Sequence, residues 1–161
     1  ATNEVVVEFV SSTAVEEYLT FDFANSLTAI SGDGYGSDKG NAFSVPAIAD
    51  SALKLYGATG KTGGYFYTTV TTTKDIASVT VKAKKNKTGT GILNADLFVS
   101  SSSTFGTTVE ASKEVTTTDM TDYKFDVTTT GSRFIKIMNN GTNTTGATQF
   151  WVESITITLA A

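Results

Sequence analysis

The chain has 161 residues, of which 40% are hydrophobic and 17% are charged, and its formal net charge is −4. These values predict a single folded domain over residues 1–161 rather than a disordered chain or two domains. The acidic balance argues against a nucleic-acid partner, because nucleic-acid binding requires basic patches. Histidine and cysteine are absent, which excludes disulfides, thiolate metal sites and the commonest general base.

The dominant pattern is an alternation of apolar and polar residues, which places successive side chains on opposite faces of a strand. Threonine and valine at these positions favour strands over helices. About ten strands, separated by clusters of Gly, Asn, Asp and Ser, predict an antiparallel two-sheet β-sandwich. In chain order the predicted strands are Val5–Val10, Val15–Phe23, Ala52–Tyr56, Tyr65–Val70, Val79–Lys84, Ile92–Val99, Thr107–Val115, Tyr123–Val127, Arg133–Met138 and Phe150–Leu159.

The first predicted strand, Val5–Val10, allows two interpretations. It is either an edge strand of the sandwich or an N-terminal arm, within residues 1–10, that pairs with the sheet of a neighbouring subunit. No apolar run in the sequence approaches the roughly 20 residues that cross a bilayer. We therefore expect no membrane insertion.

A lysine cluster marks the strand Val79–Lys84 and the turn after it. Lys82 and Lys84 share the outward face of the strand, and Lys85 and Lys87 follow. Lysines commonly protect exposed strands against pairing with other chains. We interpret the cluster as protection of a sheet edge rather than as a binding site.

The closing strand contains an inconsistency. If Trp151 and Ile155 face the core, Glu153 lies in the same inward row, and an unpaired buried carboxylate is costly. A β-bulge or a position at the sandwich edge resolves this. Bound calcium or a pairing with Arg133 are the alternatives. The same parity predicts that Trp151, the single tryptophan of the chain, is buried.

The order of the segments carries a resemblance to a known group of domains. The segments are LTFDF (Leu19–Phe23), ALKLY (Ala52–Tyr56), DIASVTVKAK (Asp75–Lys84), ADLFVSSSSTFGTTVE (Ala95–Glu110), TDYKFDVTTTGSRFIKIMN (Thr121–Asn139) and FWVESITIT (Phe150–Thr158). Together they resemble the galactose-binding-like jelly-roll domains of secreted bacterial multidomain proteins, which include carbohydrate-binding modules. The closing phrase of those domains is similar to "vDDIti", whereas this chain has VESI with a single acid, Glu153. The resemblance implies an all-β jelly roll and a carbohydrate ligand.

Candidate ligand-binding residues follow from the chemistry of sugars, whose rings offer apolar C–H faces and many hydroxyls. If Phe66 faces the core, Tyr65 and Tyr67 form an exposed aromatic pair. The alternative is that these tyrosines only pack across strands. Hydrogen bonds to the sugar would come from the glycine-rich segment Ser31–Asn41, which we predict to be a loop. The candidates there are Tyr35, Asp33, Asp38 and Asn41.

The oxygen ligands of the same loop also suit calcium, although aspartates in such turns usually bind their own backbone. We predict no cofactor, with structural calcium at Asp33 and Asp38 or at Glu153 as the alternative. The carboxylates of the chain do not form a recognisable glycosidase pair, and no G-x-S-x-G nucleophile motif occurs. The sequence therefore predicts a protein that is not an enzyme.

Together these features predict a non-catalytic carbohydrate-binding or cell-surface adhesion module that is secreted or cell-surface bound and has a polysaccharide or glycan as its partner. The low charge and the Thr, Ser, Gly and Asn content are typical of extracellular bacterial modules. The alternative function is a structural subunit of a surface layer, filament, pilus or phage particle, such as a decoration or fibre protein. Such a subunit would use Val5–Val10 for homo-assembly.

Overall fold

The computed structural model describes residues 17–25, 34–86, 92–142 and 148–161. Within these ranges the chain forms eleven strands and no helix, and every strand pairing is antiparallel. The predicted all-β sandwich is confirmed. The strands are β1 (Tyr18–Asp22), β2 (Tyr35–Asp38), β3 (Ala47–Ala49), β4 (Ala52–Gly57), β5 (Tyr65–Thr68), β6 (Ile76–Asn86), β7 (Asn94–Ser100), β8 (Ala111–Glu114), β9 (Thr121–Asp126), β10 (Phe134–Asn139) and β11 (Thr148–Leu159).

The strands form two sheets in a jelly-roll sandwich. One sheet has six strands in the order β3-β4-β11-β6-β9, with β1 also paired to β11. Strand β11 is long enough for two partners on one edge, since its first half pairs with β4 and its second half with β1. The other sheet has five strands in the order β2-β5-β10-β7-β8. Consecutive strands thus often belong to different sheets, which makes most contacts non-local.

The inward rows of both sheets form one hydrophobic core. An aromatic cluster joins the two sheets, where Phe21 and Phe23 contact Tyr35 and Phe66 with ring centroids 5.2 to 5.9 Å apart. Full burial of a large apolar side chain stabilises the fold by roughly 1.5–3 kcal/mol. Other fully buried members are Leu53, Leu55, Leu97, Phe125, Ile137, Phe150, Val152, Ile155 and Ile157.

A β-bulge resolves the inconsistency in the closing strand. The register of β11 against β6 shifts between Val152 and Ser154, so Val152 and Ile155 both face the core while Glu153 points outward. The Glu153 carboxylate lies 3.7 Å from the Lys82 ammonium. The bulge prediction is confirmed. The Arg133 alternative is wrong, because Arg133 pairs with Asp75 at 3.0 Å.

Two other sequence-based predictions are wrong for reasons of topology. Trp151 is half-buried on the outer face rather than in the core, because the bulge follows it and leaves it in the outward row. Lys82 and Lys84 do not protect a sheet edge, because β6 is paired on both sides, with β11 and with β9. The cluster member Lys87 lies outside the described residues.

Most predicted strands within the described ranges coincide with observed ones. Two strands, β2 and β3, were missed, and the predicted strand Thr107–Val115 is shortened to β8. The N-terminal segment Val5–Val10 lies outside the described residues, so both of its interpretations remain predictions. In the part of the chain that the structure describes, there is no helix long and apolar enough to cross a membrane.

Candidate binding site

The candidate site is built on β5, whose alternation separates one core residue from two surface residues. Phe66 is fully buried, whereas Tyr65 and Tyr67 are half-buried on the outer face of the five-stranded sheet. The two tyrosine rings are 5.9 Å apart with their planes inclined by 47°. The chain therefore presents a pair of adjacent aromatic surfaces to solvent.

The neighbouring strand β2 fixes the position of Tyr67. Gly36 of β2 lies directly across from Tyr67 in the strand register. A Cβ atom at Gly36 would overlap with the end of the Tyr67 ring. The ring thus lies against the bare backbone of β2, and the glycine is needed for this contact rather than for a turn.

Strand β10 places a lysine beside the tyrosines. Lys136 lies across from Tyr67 on one side and Phe98 of β7 on the other. Its ammonium is 4.2 Å from the centre of the Phe98 ring, 5.1 Å from Tyr65 and 5.7 Å from Phe105, all within the range of cation–π attraction. Partial burial among these rings lowers the pKa of Lys136, since the charged form loses hydration.

The loop between β7 and β8 forms a wall of the site. Its start is held by local hydrogen bonds, in which the Ser100 hydroxyl donates to the Thr104 carbonyl at 2.7 Å and accepts from the Ser102 amide at 3.1 Å. Between this loop and the sheet lies an open cleft of about 310 Å³. The cleft is lined by Tyr65, Tyr67, Ser103, Thr104, Phe105 and Lys136.

The other predicted ligand-binding residues are placed differently. Asp38 is exposed and lies across from Tyr65 in the β2–β5 pairing. Partial burial and the Asp38 carboxylate together raise the pKa of Tyr65. Asn41 is exposed in the turn after β2, where its backbone N–H donates to the Thr62 carbonyl at 2.9 Å. Asp33 lies outside the described residues.

The prediction that Tyr35 contacts the ligand is wrong. Tyr35 is only 1% exposed and its ring stacks on Phe66 in the core, with centroids 5.3 Å apart and planes inclined by 22°. The physical reason is that the glycine-rich segment contains strand β2 rather than a loop. Strand alternation then directs Tyr35 inward and leaves Gly36 to face Tyr67.

Sequence reasoning missed Lys136 and Phe105. The signal for Lys136 was present, since it is a cation between the buried residues Ile135 and Ile137 and must therefore face outward. The site combines aromatic faces, an ammonium, the phenols of Tyr65 and Tyr67 and the hydroxyls of Ser103 and Thr104. Among the residues with described positions, no group of three acids could hold a metal ion. Calcium at Asp33 and Asp38 remains a prediction.

No family model and no curated protein sequence matches the chain, but solved structures resemble it. A family 29 carbohydrate-binding module from Piromyces equi has a TM-score of 0.62 and 11% identity, covering 91% of this chain and 92% of that one. A cleaved adhesin domain of Lys-gingipain from Porphyromonas gingivalis has a TM-score of 0.60 and 12% identity, covering 90% of this chain and 99% of that one. The predicted resemblance to such jelly-roll modules is confirmed at the level of the fold.

Proposed function

We propose that this chain is a non-catalytic glycan-binding module whose ligand lies on the outer face of the five-stranded sheet. The observation that carries the proposal is the open cleft beside Tyr65 and Tyr67. Pyranose rings have C–H faces that pack on aromatic rings and hydroxyls that need hydrogen-bond partners. The cleft supplies both kinds of contact side by side.

In the proposed complex, the sugar rings stack on Tyr65 and Tyr67. Lys136, Ser103 and Thr104 supply hydrogen bonds from the opposite side of the cleft. Tyr67 is held in place by its contact with the backbone at Gly36, so little side-chain entropy is lost when a ligand binds. The exposed carboxylate of Asp38 accepts hydrogen bonds from sugar hydroxyls at the outer end of the tyrosine pair.

The likeness of the fold to a carbohydrate-binding module and an adhesin domain is consistent with this role. One of these structures is named as a carbohydrate-binding module and the other as an adhesin domain. We propose by the same reasoning that the chain acts outside the cell or at its surface, where polysaccharides are accessible.

The test is a glycan array followed by calorimetric titration of each glycan that binds. We expect the double variant Tyr65→Ala/Tyr67→Ala to lose about 100-fold in affinity, since two stacking contacts of about 1.5 kcal/mol each are removed. Tyr56→Ala is the matched control, because Tyr56 is a half-buried tyrosine on β4, on the outer face of the other sheet.

The control variant should bind like the wild type. Wild-type protein that binds no glycan would contradict the proposal. Equal losses in the control and in the double variant would place the ligand elsewhere and contradict it as well.

A further inference from the structure

We propose that the glycan recognised by this cleft is acidic, with a carboxylate that pairs with the ammonium of Lys136. This inference rests on the proposed function and specifies the class of its ligand. A uronic acid is the chemical type of sugar that fits.

Lys136 is a cation that the described part of the chain leaves without a carboxylate partner. Within the described ranges, no carboxylate lies within 4 Å of its ammonium, which also makes no hydrogen bond there. Lys82 and Lys124 on other strands are paired, with Glu153 and Asp126, whereas Lys84, like Lys136, has a ring contact and no carboxylate within 4 Å among the described residues. No described residue accepts a hydrogen bond from the three N–H donors of Lys136, so these donors can serve a ligand in the cleft.

Two acids on the same sheet face, Asp96 and Asp38, accept hydrogen bonds from groups other than Lys136. Asp96 is 3% exposed and accepts hydrogen bonds from the Ser112 hydroxyl at 2.6 Å and from the side-chain amide of Asn140 at 2.9 Å. Asp38 accepts from the backbone amide of Gly40 at 2.7 Å. Neither carboxylate lies within 4 Å of the Lys136 ammonium, so this charge has no ion-pair partner among the described residues.

The surroundings of Lys136 make this charge effective. Phe98, which is 5% exposed, and the rings of Tyr65 and Phe105 exclude part of the water around the ammonium. An ion pair in a partly dry site is stronger than one on an open surface. The aromatic rings attract the cation but leave its hydrogen-bonding capacity unused. A ligand carboxylate would use it.

The alternative hypothesis is that Lys136 donates only to neutral hydroxyls. The two hypotheses predict different changes in affinity when the charge of the ligand is removed. The probes are uronic-acid oligosaccharides and the same oligosaccharides with each carboxylate converted to its methyl ester. Sulfated oligosaccharides form a third arm, which separates carboxylate recognition from general attraction of anions. Calorimetry measures wild-type protein, Lys136→Met, Lys136→Gln and Lys136→Arg against each probe.

We expect the wild type to bind the carboxylated form about 10- to 100-fold more tightly than the ester, the range of a charge-assisted hydrogen bond. Lys136→Met and Lys136→Gln should reduce binding to the level of the ester, and Lys136→Arg should retain part of the preference. The matched control is Lys84→Met, which removes another lysine stacked on an aromatic ring, 5.0 Å from Trp151 on the opposite face. Lys84→Met should not change the preference for the carboxylated oligosaccharide over its methyl ester.

Equal wild-type affinity for the acid and the ester would overturn this inference. Wild-type affinity for the acid in Lys136→Gln, or tighter binding of the sulfated oligosaccharides than of the carboxylated ones, would overturn it as well. If one of these results is found and the double variant Tyr65→Ala/Tyr67→Ala still loses its affinity for the glycan, the proposed function survives without the acidic ligand. Absence of binding to every glycan would overturn both. Circular dichroism of each variant, with a wild-type β spectrum expected, separates lost binding from lost folding.

Discussion

The two outer faces of the sandwich both place lysines against aromatic rings, but with opposite consequences. On the six-stranded sheet, the Trp151 ring has the Lys54 ammonium at 4.0 Å and the Lys84 ammonium at 5.0 Å. Its indole N–H donates to the Gln149 side chain at 3.1 Å, and Lys54 is paired with Asp50. The polar and aromatic surfaces of Trp151 are therefore already occupied by the protein.

On the five-stranded sheet, the comparable groups remain open to solvent. Tyr65 and Tyr67 border the cleft, and Lys136 has ring contacts but no carboxylate partner among the described residues. The difference teaches that an exposed aromatic residue beside a lysine does not by itself indicate a binding site. Two lysines lie over the Trp151 ring, whereas Tyr65 and Tyr67 border an open cleft, and this difference in access to the rings distinguishes the two faces.

The largest expected effect on stability concerns Trp151. We expect Trp151→Ala to lower the free energy of unfolding by about 2 kcal/mol, because it leaves Lys54 and Lys84 without their ring contact. The loss is smaller than the roughly 3–5 kcal/mol for a fully buried aromatic residue, since Trp151 is only half-buried. Urea denaturation measures this loss. Glycan affinity should be unchanged, and a parallel loss of affinity would break the distinction between the faces.

A smaller effect is expected at Gly36. A methyl group in Gly36→Ala would displace the Tyr67 ring from β2, so glycan affinity should fall about tenfold, close to the value of one stacking contact. The same substitution in a Tyr67→Ala background should have little further effect, because the ring it displaces is absent. Additive losses in this double-mutant cycle, measured by calorimetry, would contradict the proposed contact.

The smallest effect is a pH dependence at the end of the cleft loop. Glu110 precedes β8 and accepts hydrogen bonds from the Thr128 amide at 2.7 Å and the Thr129 hydroxyl at 2.6 Å. Partial burial alone would raise the pKa of Glu110, but the hydrogen bonds from Thr129 and Thr128 outweigh it and lower the pKa. Because the pKa is lower in the folded state, the stabilisation is complete above the ordinary glutamate pKa. It is lost as the pH falls through the lowered value.

Glu110→Gln should therefore be less stable than the wild type at pH 7, and the difference should narrow in acid. Urea denaturation of both proteins at neutral and acidic pH measures this change. A difference that is constant with pH would show that the carboxylate charge does not hold the loop. Trp151 fluorescence, which reports the opposite face, should follow only global unfolding.

Local alternation was enough to predict β5 and the outward direction of Tyr65 and Tyr67, because a period of two determines the face directly. It could not predict β2, since Gly36 and Ser37 carry no hydrophobic signal and their pairing with β5 joins distant parts of the chain. At Trp151 the need for a bulge was evident from Glu153, but its position was not. The assignment of Trp151 to the core failed for that reason.

For Lys136, the sequence predicts the orientation of the side chain but not its neighbours. Its outward orientation follows from the buried neighbours Ile135 and Ile137. Its partners Phe98 and Phe105 become apparent only when β7 is placed beside β10 and the loop after β7 folds over the sheet. A cleft made by several strands and a loop is non-local and is not encoded in any one segment.

The most direct test of the account is to map a bound glycan by amide chemical shifts in isotopically labelled protein. We predict that the shifts which change on titration cluster at Tyr65, Tyr67 and Lys136 and in the loop that carries Phe105. The amides around Trp151 should remain unchanged. Changes centred on Trp151, with the tyrosine strand unaffected, would contradict the assignment of the binding site to the five-stranded sheet.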